Sequence, residues 1–343
     1  MKKSILLLIL TGSTILISQE NIKYSETISS KDLYKHISVL ASDSLEGRET
    51  GKRGQKMAAD YIMNHFKKIG IPPYKDQTYY QKFRVENGRH LCKCDDCDVD
   101  IIKRILRANK YIHGENVLGY IEGTDLKQEL IIITAHYDHL GKHDSLIFNG
   151  ADDDASGTAA AMEIAEAFMI AKKEGFGPRR SVLIMAVSGE EKGLLGSKYY
   201  TDKPIYPLKN TVANLNIDMI GRIGDFHTHP NYVYLIGSDM LSTDLHNLSE
   251  EVNAKHTKLE LDYTFNSEND PNRYYYRSDH YNFAKNNIPV IFYFNGIHED
   301  YHKPTDTIEK INFDKIQKIT KLIFLTAWEI VNREERIVVD KSE

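Results

Sequence analysis

From residue 116 onward, short unbroken apolar runs alternate with longer stretches whose apolar positions recur at helical spacing. The runs "NVLGYIEG" (116–123), "ELIIITAHYD" (129–138), "SVLIMAVSG" (181–189), "TVANLNIDMI" (211–220) and "IPVIFYF" (288–294) read as strands. Between and after them, "ASGTAAAMEIAEAFMIAKK" (155–173), "GLLGSKYYT" (193–201) and "FDKIQKITKLIFLTAWEIVN" (313–332) read as helices. Apolar strands alternating with helices predict an α/β fold, a mostly parallel central sheet with helices on both faces. Two more helices are expected upstream, in "SSKDLYKHISVLAS" (29–42) and "GKRGQKMAADYIMNHFKKIG" (51–70), the second stopping at Gly70. Residues 72–115, rich in prolines, tyrosines and cysteines, predict loop and short strands, and 222–276 yields no clear element.

Two lysines followed by an interrupted apolar stretch make residues 1–19 a secretory signal, too short and broken for a good membrane span. The expectation is therefore an exported chain, periplasmic or extracellular, with no membrane contact beyond that segment. Residues 20–343 then form a single domain with an irregular insertion at about 72–115. Composition is ordinary for a soluble protein, 41% hydrophobic and 27% charged with a formal net charge of −5, and offers no basic surface for nucleic acid. Cys92, Cys94 and Cys97 lie within six residues, match no standard zinc spacing, and read as a surface loop with at most one disulfide.

Candidate chemistry gathers where the apolar runs end. His136 and Asp138 close one run, Glu190 and Glu191 another, Asp218 a third, and His302 follows the last. In open α/β sheets, ligands bind beyond the carboxyl ends of the strands. Asp218 interrupts an otherwise apolar strand, and a buried carboxylate needs a partner or a metal. The segment "HEDYH" (298–302) is a literal H-E-x-x-H, which in zincins requires a rigid helix. Here a strand and the turn dipeptide Asn295-Gly296 precede it and Pro304 follows, so the zincin arrangement is not expected. His139, His143, His227, His229 and His298 read by default as surface or loop histidines. His280 is expected to start a helix near the site without binding metal.

Taken in order, "AHYDHLG", "NGADDDASG", "SGEEKGLLGS", "NIDMIGR" and "DYHKPTDT" resemble the dizinc aminopeptidases of metallopeptidase family 28. That family is related to glutamate carboxypeptidase, the transferrin receptor and glutaminyl cyclase. "LASDSLEGRETGKRG" (40–54) is similar to its exported bacterial members. The resemblance implies two Zn2+ per chain, with His136 and Asp218 on one ion, Glu191 and His302 on the other, and Asp153 bridging. It assigns the bridge to Asp153, leaving Asp154 to cap the following helix and Asp152 to support. Imidazole and carboxylate donors without thiolate suit catalytic zinc, which lowers the pKa of a shared water. Glu190, facing opposite to Glu191 in extended backbone, is the expected general base. Asp138 is expected to hydrogen-bond the His136 imidazole, and Tyr301 to donate to the oxyanion.

The implied substrates are peptides with a free N-terminus. Three alternatives stay open: a glutaminyl cyclase, a carboxypeptidase using Arg222, Arg273 or Arg277, and a non-catalytic binding module. The five ligand positions and Glu190 argue against the first and the last.

Overall fold

In a computed structural model the protein is described over residues 22–74, 78–86 and 111–341. The signal segment expected at 1–19 and Cys92, Cys94 and Cys97 lie outside the described residues. No described helix is long and apolar enough to cross a membrane.

The strands are β1 (Tyr80–Glu86), β2 (Tyr111–Ile121), β3 (Leu130–His136), β4 (Gly141–His143), β5 (Leu146–Phe148), β6 (Ser181–Val187), β7 (Thr211–Ile217), β8 (Tyr232–Ile236), β9 (Glu260–Asp262) and β10 (Val290–Phe294). Eight of them form one sheet in the order β1-β2-β6-β3-β7-β10-β8-β9, while β4 and β5 make a separate hairpin. The central four, β6, β3, β7 and β10, run parallel. Antiparallel pairings flank them, β2 on β6 and β8 on β10.

Helices α1 (Ser30–Leu40), α2 (Arg53–Ile69), α3 (Gly157–Lys173), α4 (Leu195–Asp202), α5 (Thr243–Val252), α6 (His280–Ala284) and α7 (Phe313–Asn332) cover this sheet. Alternation along the strands divides the core in two. Ile131 and Ile133 of β3 pack with Phe66, Phe168 and Phe324 from α2, α3 and α7. Leu130 and Ile132 join Tyr200 of α4 and Phe283 of α6 on the opposite face. Both faces are therefore buried, which explains why the central strands read as unbroken apolar runs.

Local chemistry sets the helix ends. The Asn312 side chain accepts the Lys315 N–H at 3.0 Å to start α7. Gly70, at φ 92°, ends α2, with the Ile71 N–H returning to the Phe66 carbonyl at 2.9 Å.

Two stretches differ from the sequence expectation. The strand expected from residue 116 begins at Tyr111, and β1 pairs antiparallel along its first seven residues. Segment 222–276 supplies β8, α5 and β9. The two strands are short, and their place is set by pairing, β8 on β10 and β9 on β8, rather than by a strong periodic pattern of their own.

Candidate metal centre

The parallel register assembles the site. Thr134 of β3 lies opposite Asn216 of β7, so two residues further on His136 and Asp218 stand side by side on one face. His136 Nε2 is 3.5 Å from Asp218 Oδ1 and 3.2 Å from Asp153 Oδ1. The other oxygen of Asp153 faces His302 Nε2 at 3.2 Å, and His302 Nε2 is 3.5 Å from Glu191 Oε2. Asp153 thus sits between two ligand sets, one oxygen toward each. A tetrahedral zinc with bonds of about 2.0–2.1 Å separates its ligand atoms by about 3.3–3.4 Å, close to all four distances.

Several of the donor atoms also lack hydrogen-bond partners. Oδ2 of Asp153, Oε1 of Glu191 and both ring nitrogens of His139 are buried and make no hydrogen bond. Burial pushes the Glu190 carboxyl well above its ordinary range and Glu191 to about 8, with Asp153 adding to the rise at Glu191. Carboxylates buried together without a balancing cation hold protons that a bound cation would displace. The donor set therefore fits zinc, which His136, Asp153 and Asp218 would hold on one side and Asp153, Glu191 and histidine on the other.

The three aspartates between β5 and α3 face different ways. Asp154 accepts the N–H groups of Gly157 and Met219, at 2.8 and 3.0 Å, and caps the start of α3. Asp152 accepts the Gly221 N–H at 2.6 Å. Asp153 alone turns its carboxylate to His136, His139 and His302. The loop is held from beneath by Asp306, whose carboxylate accepts the Asp152 and Asp153 N–H groups at 3.0 and 3.2 Å. From the side, fully buried Arg48 donates to the carbonyls of Tyr137, Leu40, Asn149 and Gly150.

Glu190, Asp218 and Tyr301 line an open cleft with Met219, Tyr274, Arg277, Phe292, Phe294 and Ile297. Tyr301 stacks on His302 with ring centroids 3.8 Å apart, and its hydroxyl lies 3.5 Å from Arg277 Nη2. Of the three arginines considered for a substrate carboxylate, Arg277 lines this cleft, while Arg222 is paired with Asp300 at 2.9 Å and Arg273 lies over the Tyr276 ring.

Three expectations are corrected. The Asp138 carboxylate does not orient His136: its nearer oxygen is 3.9 Å from Nδ1, whereas the Asp138 main-chain carbonyl is at 3.0 Å. That carboxylate instead accepts the Thr50 hydroxyl and, at 3.2 Å, the Glu190 N–H, so it positions the Glu190 backbone. His139 is not at the surface; it is fully buried, with Nδ1 2.8 Å from Glu191 Oε1 and 3.7 Å from Asp153 Oδ2. The chain leaving β3 forms a bridge between His139 and Glu49, and this turns the ring inward. His298 is also buried, with Nε2 3.1 Å from Asp152 Oδ2. His298 and His302 share no helix, and His302 takes φ 56° in a turn, so the zincin arrangement is excluded.

His280 starts α6 as expected and stacks on Phe292 at 4.7 Å. Sequence reading missed Arg48, Asp306 and Ser278, whose hydroxyl donates to Asp218 Oδ2 at 2.7 Å. Behind Ser278 runs a buried line of donors: Asn214 to Thr134, Thr134 to Asn216, and Asn216 to Ser278, at 3.0, 2.6 and 2.9 Å. Two asparagines within "TVANLNI" were the available signal, since an amide in a doubly covered strand must find partners there.

The model of peptidase family M28 matches residues 116–327, more than half of the chain. Over 316 residues the chain is 26% identical to aminopeptidase YwaD of Bacillus subtilis, covering 88% of this chain and 63% of that protein. It is 40% identical over 114 residues to a probable zinc metalloprotease of Pyrenophora tritici-repentis, 31% of this chain and 22% of the fungal protein. The chain thus spans less than two thirds of the length of these relatives. A solved aminopeptidase from Aneurinibacillus sp. strain AM-1 superposes with a TM-score of 0.68 at 17% identity, covering 94% of this chain and 98% of the other, and so shares the fold.

Proposed function

The chain belongs to peptidase family M28, and from that premise we propose that it is a zinc-dependent aminopeptidase that hydrolyses the N-terminal bond of peptides. The observation that carries this reading is Asp153 between two ligand sets, with Oδ1 toward His136 and Oδ2 toward His302. That arrangement is suited to two zinc ions. When bound there, zinc supplies Lewis acidity and lowers the pKa of a water at neutral pH.

The chain's own residues do the rest. Glu190 faces the cleft, and its carboxylate takes a proton from the attacking water and passes it to the leaving amine. Asp138 holds that residue through its main-chain N–H. Asp218 is oriented by the Ser278 hydroxyl. The Tyr301 hydroxyl, at the cleft wall beside Arg277, donates to the oxygen on which negative charge develops. Met219, Tyr274, Phe292, Phe294 and Ile297 give the cleft an apolar wall, so an apolar N-terminal side chain is the preferred one. Export, proposed from residues 1–19, places the enzyme outside the cytoplasm.

Incubating the zinc-loaded protein with free-amine, N-acetylated and glutamine-initiated peptides, with and without chelator, tests this reading by mass spectrometry. Stepwise, chelator-sensitive loss of N-terminal residues from free-amine peptides is expected. Ammonia loss from glutamine-initiated peptides alone indicates a cyclase, and shortening from the other end a carboxypeptidase.

A further inference from the structure

Away from the cleft, a second group of ligand-type side chains converges. One nitrogen each from His227 and His229 and one oxygen of Glu260 lie within 4.8 Å of one another. We propose that these residues form a further metal site, taking one divalent transition ion such as zinc, and that the ion fastens the loop before β8 to the edge strand β9.

Two independent stretches of chain build the site. His227 and His229 are alternate residues of the loop "DFHTHP", and Pro230 favours extended backbone at His229. Glu260 and Asp262 are alternate residues of β9, so their side chains leave the strand on one side. The parallel register of β8 and β9 sets Tyr232 opposite Glu260, which brings the end of the histidine loop to the start of β9. There His229 Nε2 stands 3.3 Å from Glu260 Oε2, again the ligand–ligand edge of a tetrahedral zinc, about 3.3–3.4 Å.

The first histidine is preorganised. Its ring stacks on Tyr232 with centroids 3.4 Å apart, and Nε2 lies 2.9 Å from Asp262 Oδ2. A carboxylate on a ring nitrogen fixes imidazole orientation and raises its basicity, as the outer partners of metal-bound histidines do. Two imidazoles with carboxylates and no thiol select borderline ions of the zinc type, whereas magnesium and calcium favour oxygen donors alone. Ion pairing alone accounts for the cluster poorly: the two rings lie 5.7 Å apart, and His229 and Glu260 meet where both are about half exposed, so that pair holds weakly by itself.

The loop so anchored reaches the cleft. The Asp225 N–H donates to the Ile297 carbonyl at 2.9 Å, and Ile297 is part of the cleft wall. The Tyr232 hydroxyl, beneath the His227 ring, donates to the Asn295 carbonyl at 2.6 Å. An ion at this site would hold the outer end of that connection in place.

Zinc content measured on the full chain decides the question. Wild type, His229→Ala, Glu260→Gln and Asp153→Asn are stripped with chelator, reloaded with zinc alone, desalted and weighed by native mass spectrometry. Wild type is expected to keep one equivalent more than His229→Ala and Glu260→Gln, and Asp153→Asn is expected to keep that equivalent. Metal-free melting temperatures check that the two loop variants remain folded; both side chains are about half exposed, 48% and 55%. Equal zinc content in wild type and both loop variants, or an outer equivalent that disappears in Asp153→Asn, overturns the site.

Discussion

Nδ1 of His139 stands 2.8 Å from Oε1 of Glu191, which sets a third histidine against the metal centre beside His136 and His302. Burial, the largest influence on this ring, lowers its pKa to about 4, so at neutral pH the imidazole is uncharged and free to bind metal or to steady Glu191. Losing it should weaken the ion on the Glu191 side. His139→Ala is expected to retain zinc with roughly 10–100-fold lower affinity, as removal of supporting ligands typically does. Titration of the stripped protein with zinc, following activity, checks this; an unchanged zinc dependence would show that His139 only fills space.

His302 and His298 occupy the same H-E-x-x-H string and should behave differently. His302→Ala removes a donor facing both Asp153 and Glu191, and activity should fall at least about 100-fold. His298→Ala removes a contact to Asp152, one residue from the site, and should retain most activity. A comparable loss in both variants would contradict the site described here.

Glu190 should matter for turnover and not for zinc. Glu190→Gln keeps the size of the side chain but loses the base, so kcat is expected to fall roughly 10²–10⁴-fold with zinc content unchanged. Loss of zinc in this variant would instead move Glu190 among the ligands.

Arg48 is the structural pin of the site loop. Its guanidinium is fully buried and serves four main-chain carbonyls, two of them at Asn149 and Gly150 just before the aspartates. Arg48→Met should cost about 3–5 kcal/mol in urea unfolding, since those carbonyls and the nearby acids lose their partner. Arg48→Lys should recover little, because one ammonium cannot reproduce a planar fork.

A separate buried group predicts a pH signature. His36 of α1 and Glu163 of α3 meet at 3.2 Å, with His65 of α2 beside them, ring centroids 4.7 Å from His36. Burial raises Glu163 from 4.5 to about 8 and lowers His36 to about 4 and His65 to about 3. Between pH 4.5 and 8 the folded chain holds a proton on Glu163 that the unfolded chain has lost, so this contribution declines as pH rises to about 8. The histidines act oppositely, gaining stability as pH rises to their unfolded value of 6.5. Above pH 6.5 these three groups leave only the decline, on the order of 1 kcal/mol per pH unit up to about pH 8. Glu163→Gln should show a shallower decline than wild type in urea titrations of chelated protein, in which Glu191 still contributes. Parallel wild-type and variant curves from pH 6.5 to 8 would show that Glu163 is ionised in the fold.

The sequence by itself determined the alternation of strands and helices, and with it the edge at which the chemistry collects. That followed because strands covered on both faces must be apolar throughout, so a lone acid or histidine at a strand end stands out. His136, Glu190, Glu191, Asp218 and His302 were all legible in this way. The choice of Asp153 within three consecutive aspartates was not, resting instead on resemblance to a family. Only the tertiary structure separates the three, because Gly157, Met219 and Gly221 engage Asp152 and Asp154 and leave the Asp153 carboxylate between His136 and His302. Arg48, His139 and Asp306 were hidden for the same reason. Arg48 ends a short 3-10 turn (Asp43–Arg48) after α1 and the other two lie between regular elements, all without periodicity. The role of each exists through partners far off in the chain, brought near when that turn, the β3 end and the segment after β10 pack together.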